Sequence, residues 1–374
     1  MRIQIPRLFH KYPLRALMLS MLMMPAYFSS TAVAQPDGLQ VQPAITSAMA
    51  AQSVMLSVAR AGQRLVAVGE RGFIIVSDDN GASWSQVDSP VSVTLVKIRF
   101  IDDVEGWIVG HAGVVLHTRD GGLSWSKQLD GVQAAEIELQ ETRLATEGAE
   151  DVEKAQERLA QAQQLVDDGP DKPFLDLLFL DAKNGLVVGA YGLAFVTHDG
   201  GLSWQSIRSR IENPSGLHLY SIERVGGDLF IGGEQGTLLR SSDEGKTFEP
   251  LASPYEGTTF GLQATNSSSI LAFGLRGKAF ESKDRGDTWQ SLDTLQPVTL
   301  TSGLRLADGS VLLSDESGRV LRFANGDSKA AVLQIAQPSY FTGMAQAANG
   351  NLIISSARGM LSSAVAVVSP EHDQ

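Results

Sequence analysis

The sequence predicts an all-β fold: a seven-bladed β-propeller with a helical hairpin inserted between its second and third blades. Three observations predict it. Seven glycines (Gly72, Gly113, Gly192, Gly236, Gly277, Gly318 and Gly359) recur at gaps of 41, 79, 44, 41, 41 and 41 residues, each between short apolar runs. A period near forty residues marks a repeat architecture, and the one doubled gap marks an insertion. Five repeats then carry Ser/Thr-x-Asp-x-Gly-x-Ser/Thr-aromatic just after that glycine. Finally, each repeat divides into short strand-like runs broken by Gly, Asp, Asn and Ser turns, the pattern of antiparallel strands.

The chain opens with four basic residues and no acidic ones, followed by an apolar stretch from Ala16 to Phe28. That stretch is too short to cross a bilayer. Ala32-Val33-Ala34 then offers small residues at a cleavage position, so residues 1–34 read as a secretory signal peptide cut before Gln35. The expected mature chain, 35–374, is periplasmic or secreted. The full chain has a net charge of −12, and loss of the four leader cations leaves −16. An acidic surface of that kind is a poor partner for nucleic acid. There is no cysteine. That excludes disulfides, thiolate metal sites, cysteine nucleophiles and a lipid-anchored cysteine, and leaves stability to core packing.

The first repeat gives MLSVAR, RLVAVG, FIIVS and WSQV. Its second run is apolar throughout (Leu65, Val66, Ala67, Val68), which implies burial on both faces of the sheet. Sheets stacked between like sheets meet that need. The polar motif follows the third run. Its copies are Ser77, Asp79, Gly81 and Trp84; Thr118, Asp120, Gly122 and Trp125; Thr197, Asp199, Gly201 and Trp204; Ser241, Asp243, Gly245 and Phe248; and Ser282, Asp284, Gly286 and Trp289. Short polar side chains there can bond turn amides, the glycine suits a positive φ, and the aromatic buries a large face. The motif resembles the Asp-box of bacterial-neuraminidase-type repeats. Its role is expected to be structural.

The doubled gap holds residues 131–170, rich in Ala, Glu, Gln and Leu, with ten acidic and three basic residues between Gly131 and Asp168. Good helix formers broken near Gly148 predict two helices, about 133–146 and 150–167, in an antiparallel hairpin. With little apolar surface, it reads equally as a solvated decoration and as a docking arm. The last two repeats keep the glycine and lose the polar motif. The last one ends after its third run, and Leu39 to Ile45 is expected to supply the missing outer strand and close the ring.

Antiparallel strands alternate their connections between two ends of a blade. The polar motifs are third-to-fourth turns. The glycine turns and the insertion therefore belong to the opposite end. That end is the expected partner-binding face, carrying Arg71, His111, Tyr191, Arg276 and Arg358 beside Glu70, Glu234, Gln235 and Glu316.

Catalytic chemistry is not marked. His111, His117, His198, His218 and His372 make no metal-ligand spacing, so no metal is expected. Glycine pairs such as Gly226-Gly227 precede no helix and cradle no phosphate. No catalytic residue and no cofactor is expected. A glycan-active hydrolase needs two facing carboxyl groups, and it stands as the alternative reading, with a ligand-binding propeller without turnover as another.

The longer unit FIDDVEGWIVGHAGVVLHTRDGGLSW (Phe100 to Trp125) recurs as FLDAKNGLVVGAYGLAFVTHDGGLSW (Phe179 to Trp204). It resembles the photosystem II stability/assembly factor family of seven-bladed propellers. The resemblance implies a non-enzymatic scaffold that holds membrane-protein intermediates during assembly. In non-photosynthetic bacteria it implies an accessory to resistance-nodulation-division type exporters. The expected partner is thus a membrane protein complex or transporter subunit, met through the insertion-bearing face. The family's arginine patch finds its candidates here in Arg71, Arg276 and Arg358.

Overall fold

A computed structural model describes Gly38 and residues 41–147 and 149–364. The signal-peptide reading lies outside the described residues. Within them the chain forms seven antiparallel sheets, each laid down in sequence order from first to last strand. The first holds β1 (Met55–Ala61), β2 (Arg64–Gly69), β3 (Ile74–Ser77) and β4 (Ser85–Val87). The second holds β5 (Leu95–Phe100), β6 (Gly106–Gly110), β7 (Val115–Thr118) and β8 (Ser126–Leu129). Helices α1 (Gly131–Thr146) and α2 (Val152–Asp168) follow. The third sheet holds β9 (Phe174–Phe179), β10 (Gly185–Gly189), β11 (Ala194–Thr197) and β12 (Gln205–Ser206). The fourth holds β13 (Leu219–Val225), β14 (Asp228–Gly233), β15 (Leu238–Ser241) and β16 (Glu249–Pro250). The fifth holds β17 (Thr259–Ala264), β18 (Ile270–Gly274), β19 (Ala279–Ser282) and β20 (Gln290–Ser291). The sixth holds β21 (Leu300–Arg305), β22 (Val311–Asp315), β23 (Val320–Phe323) and β24 (Ala331–Leu333). The seventh has three strands, β25 (Phe341–Gln346), β26 (Leu352–Ser356) and β27 (Gly359–Ser363).

The first strands touch in sequence, β1 to β5, β5 to β9 and onward to β25, and β25 touches β1. The sheets therefore stand around a circuit of inner strands, the arrangement of a β-propeller. Hydrogen bonds from one inner strand to the next tie the circuit. Ile98 N–H donates to Ser57 Oγ at 3.3 Å, Leu262 N–H to Ser221 Oγ at 3.1 Å, and Thr342 Oγ1 to the Met55 carbonyl at 2.6 Å. The second strands are buried on both faces, as the apolar run Leu65–Val68 required. Apolar side chains of neighbouring sheets interleave between them, for example Val66 and Val68 with Ile98 and Ile108.

Closure differs from the expectation. Residues 41–45 form no strand. They lie against the first sheet, where Ala44 N–H donates to Ser89 O at 3.1 Å and Gln86 Nε2 donates to Ile45 O at 2.8 Å. Leu39 and Gln40 fall outside the described residues. The circuit closes instead through β1 on β25, with Ala50–Gln52 laid against β27.

The hairpin is not free-standing. Ala134 and Ala135 of α1 and Leu165 of α2 join a cluster with Trp107, Phe174, Phe195 and Trp204 of the second and third sheets. Alanines let the helices approach closely, so few large side chains suffice. Asp130 caps α1, its Oδ1 accepting from Val132 N–H at 3.1 Å and Gln133 N–H at 3.2 Å.

Candidate functional site

Each glycine turn is anchored in the same way. The residue two before the glycine donates its N–H to the carbonyl just ahead of its own sheet's inner strand. His111 N–H reaches Thr94 O at 2.8 Å, Ala190 N–H reaches Pro173 O at 3.0 Å, and Leu275 N–H reaches Thr258 O at 3.1 Å. The same bond joins Glu70 to Val54, Glu234 to His218, Glu316 to Thr299 and Ala357 to Tyr340. All seven turns therefore sit where the inner strands begin.

The residue just before the glycine carries the unusual geometry. Arg71, Ala112, Tyr191, Gln235 and Arg276 have φ of 58°, 54°, 55°, 51° and 56°. A non-glycine residue held there costs about 1 kcal/mol or more. Arg71, Tyr191, Gln235 and Arg276 are nevertheless exposed, as are His111 and Arg358. The structure thus brings the five expected face residues to one end of the strands. His117, by contrast, is buried in the second sheet, stacked on Trp107 at 4.5 Å and paired with Glu105 at 2.9 Å.

The hairpin rises from this same end. A Cβ at Gly113 would lie 2.7 Å from Gly131 Cα, so the turn of the second sheet abuts the start of α1. At the other end of the hairpin, Lys172 Nζ sits 5.0 Å from the centre of the Tyr191 ring. Tyr191 is 49% exposed and begins an aromatic run. His218 lies 4.9 Å away, Tyr220 a further 6.2 Å, and Phe260 5.1 Å beyond that. Glu234 fixes His218, accepting at Oε2 3.0 Å from Nδ1. Burial first, and Glu234 second, push the Tyr220 hydroxyl above its usual range. The helices then lean over the outer edge of the third sheet. Ser206 donates its hydroxyl to Glu138 and its N–H to Glu141 at 3.2 Å. A cavity of about 600 Å³ opens between the hairpin, residues 206–214 and Phe248–Glu249.

The polar motifs occupy the opposite end. In each, the first hydroxyl donates to the aspartate and accepts from the glycine N–H, while the aspartate accepts from the backbone and hydroxyl of the seventh residue. Around Asp79 the distances are 2.8 Å from Ser77 Oγ, 2.9 Å from Ser83 N and 2.5 Å from Ser83 Oγ. Asp120, Asp199, Asp243 and Asp284 repeat the pattern. The motif glycines have φ between 86° and 93°. Ser83 and Thr288 hydroxyls, then their N–H groups, hold Asp79 and Asp284 down from 3.8 to about 2. At Asp243 partial burial works the other way, and Thr247 N–H and hydroxyl overcome it to give about 2. A carboxyl depressed in the fold contributes stability that is present above its ordinary value and is lost as protons bind. The melting temperature should therefore hold down to pH ~4 and fall between pH ~4 and ~2. In a Ser83→Ala, Thr288→Ala double variant that acid-induced drop should be smaller, measured by thermal melts across that range.

Sequence reasoning missed a charge network on the inner strands. Arg99 (β5) meets Asp176 (β9) at 2.9 Å and Glu223 (β13) at 3.4 Å, and also donates to Ile222 O at 2.9 Å. Asp176 is 1% exposed and accepts further bonds from Leu177 N–H and Ile222 N–H at 2.8 and 3.0 Å. Lys97 stands beside them, its ammonium destabilised first by burial and relieved by Asp176. The signal was present. Each inner strand has a register shift near its start, and the residue after it is Ser57, Ser221, Gly261, Ser302 or Gly343 in five sheets. In the other two it is Lys97 and Asp176. The two carboxyl groups are held by the guanidinium between them. Among the described residues no group of three or more His, Asp or Glu could hold a metal ion, and no helix is long and apolar enough to cross a membrane.

The family model described as photosynthesis system II assembly factor YCF48 matches residues 44–151 and 155–360. The chain is 29% identical over 143 residues to the photosystem II assembly lipoprotein Ycf48 of Synechococcus sp. (strain CC9902), covering 36% of this chain and 41% of that protein. It is 28% identical over 145 residues to the chloroplastic photosystem II stability/assembly factor HCF136 of Cyanidioschyzon merolae, covering 34% and 32%. The matches thus span less than half the length of these curated relatives. Among solved structures, YCF48 bound to a D1 peptide superposes with a TM-score of 0.59 at 17% identity, covering 84% of this chain and 94% of that one. At that identity the likeness is one of fold.

Proposed function

The chain belongs to the photosynthesis system II assembly factor YCF48 family, and from that premise we propose that it is an exported, non-enzymatic scaffold. It holds a segment of a membrane protein complex on its glycine-turn face while that complex is assembled or operates. In this reading the seven sheets are the blades of a seven-bladed ring, and the hairpin is an insertion between the second and third that extends the face. The partner is a photosystem subunit or, in a bacterium without photosynthesis, a subunit of a resistance-nodulation-division type exporter. One relative's structure contains a bound D1 peptide, which supports a polypeptide segment as the ligand class.

One observation carries the reading. At the same place in four of the seven turns, Arg71, Tyr191, Gln235 and Arg276 are held in left-handed backbone and yet stay exposed at one end of the strands. Glycine would remove the strain. Large side chains kept there at a stability cost point to contact with something outside the chain. The Asp-box turns hold Asn80, Glu244 and Arg285 in the same left-handed backbone, but there Asn80 accepts from Asn349 N–H and Arg285 pairs with Asp228, and the aspartates spend their lone pairs on their own turns.

The test is capture of proteins from detergent-solubilised membranes of the source organism on the immobilised chain. Arg71→Glu with Arg276→Glu should lower recovery of the partner roughly tenfold, the scale of losing central interface residues. Tyr191→Ala should do the same. Leu202→Ala, which alters a 79% exposed side chain in the third Asp-box, should leave recovery unchanged. Equal recovery on all variants contradicts the proposal.

A further inference from the structure

The seventh sheet stops one strand short of the other six. In the first sheet, β4 pairs Ile74 with Val87, Ile75 with Gln86 and Val76 with Ser85. By pairing register with the second strand, the equivalents of Ile74, Ile75 and Val76 are Met360, Leu361 and Ser362 of β27. Ile74, Ile75 and Val76 are buried, whereas Met360 and Leu361 are half-buried and Ser362 is exposed. Among the described residues, β27 therefore lacks the outer strand that covers β3.

Two of the other edges are visibly covered. On β12, Glu141 of α1 takes the Ser206 N–H. Beside β16, the segment around Ile211 bridges Phe248, with Phe248 N–H donating to Arg210 O at 3.0 Å. Nothing among the described residues pairs with the outer edge of β27. Residues 41–47, which precede the first sheet, are engaged with Gln86 and Ser89. The edge also lacks the usual protection, because GMLSS contains neither charge nor proline.

We propose that the outer edge of β27 accepts a strand from a partner protein: an extended, uncharged stretch of about four residues bearing a carboxylate where it passes Arg358. Direction follows from the sheet. β27 runs away from the glycine-turn end, so an antiparallel fourth strand runs toward it and finishes beside Arg358. That side chain is exposed and has no ion pair among the described residues, while its N–H bonds Ser356 Oγ at 3.1 Å. Backbone bonds would supply the affinity, and Leu361 and Met360, both half-buried, would give alternate side chains of the stretch an apolar contact. The strand slot is distinct from the turn residues Arg71, Tyr191 and Arg276.

The probe is an amidated, fluorescein-labelled peptide, Ser-Thr-Val-Thr-Val-Asp, followed by fluorescence anisotropy against the full chain. Saturable binding is expected. Ser362→Lys should weaken it roughly tenfold with an unchanged melting temperature, since the side chain is exposed and only the edge is guarded. A peptide ending in Lys should bind more weakly, and Arg358→Glu should reverse that preference. A weak complex can be trapped: the chain has no cysteine, so Ser362→Cys should displace thiopyridone from a peptide whose central cysteine is activated as a pyridyl disulfide, forming a protein–peptide disulfide, and should do so less with a proline-containing version. No saturable binding together with equal trapping of both peptides overturns the proposal. So does indifference to Ser362→Lys. A dimer that Ser362→Lys converts to monomer, or binding that needs removal of residues 1–40 or 365–374, assigns the edge to a second copy or to the chain itself, and equally overturns it.

Discussion

Replacing Arg99 by methionine should destabilise the fold by about 3 kcal/mol, near the lower end of what breaking a buried ion pair costs. The reason is what remains behind. Asp176 is almost completely buried, and Arg99 meets both of its oxygens, from Nε at 3.3 Å and from a terminal nitrogen at 2.9 Å. Methionine fills a similar volume but leaves that carboxylate with backbone and Ser221 hydroxyl donors alone. Arg99 keeps 24% of its side chain in solvent, which moderates the loss. Urea denaturation should show a lower midpoint at an unchanged slope. Adding Asp176→Asn should recover most of the loss, because the charge that lacked a partner is gone. If the single variant matches the parent, the network contributes nothing to stability and the inner strands are held by packing alone.

Removing the hairpin should also be costly. Read from sequence, a deletion of Val132 to Asp168 would leave a folded propeller that no longer holds its partner. The structure gives a different expectation. Ala134, Ala135 and Leu165 are buried in one cluster with Phe174, Phe195 and Trp204, and Glu138 and Glu141 satisfy Ser206 on the β12 edge. Leu165→Ala alone should cost about 2–4 kcal/mol, the range for a buried leucine whose neighbours relax only in part. Full deletion should bare one side of that cluster and lower the melting temperature further, with increased binding of a hydrophobic dye. A deletion variant with parental stability would return the hairpin to the status of a loosely attached arm.

Much of this was readable in the sequence because each signal was local and repeated. The glycines report a backbone requirement, and antiparallel parity places their turns and the insertion at one end and the Asp-boxes at the other. The helices were placed to within two residues. Their true starts follow Asp130 and Asp151, which act as caps by accepting from backbone N–H groups in the first turn. What was missed is non-local. Arg99 meets partners 77 and 124 residues away, and no spacing rule joins them. The burial of the hairpin was hidden by its alanines, which count little as apolar surface but allow close approach. The closing strand failed because LQVQ alternates as a strand should, while residues 44–47 have better partners in Gln86 and Ser89.

The central claim is that the turn-bearing end of the ring, and not the Asp-box end, meets a membrane protein. Site-specific photocrosslinking in intact cells tests it most directly. A photoreactive residue placed at Arg71, Tyr191 or Arg276 should yield adducts with an integral membrane protein, and one placed at Leu123 or Leu202 of the Asp-boxes should yield none. Adducts from Leu123 and Leu202 with silence at the three turn positions would contradict the account.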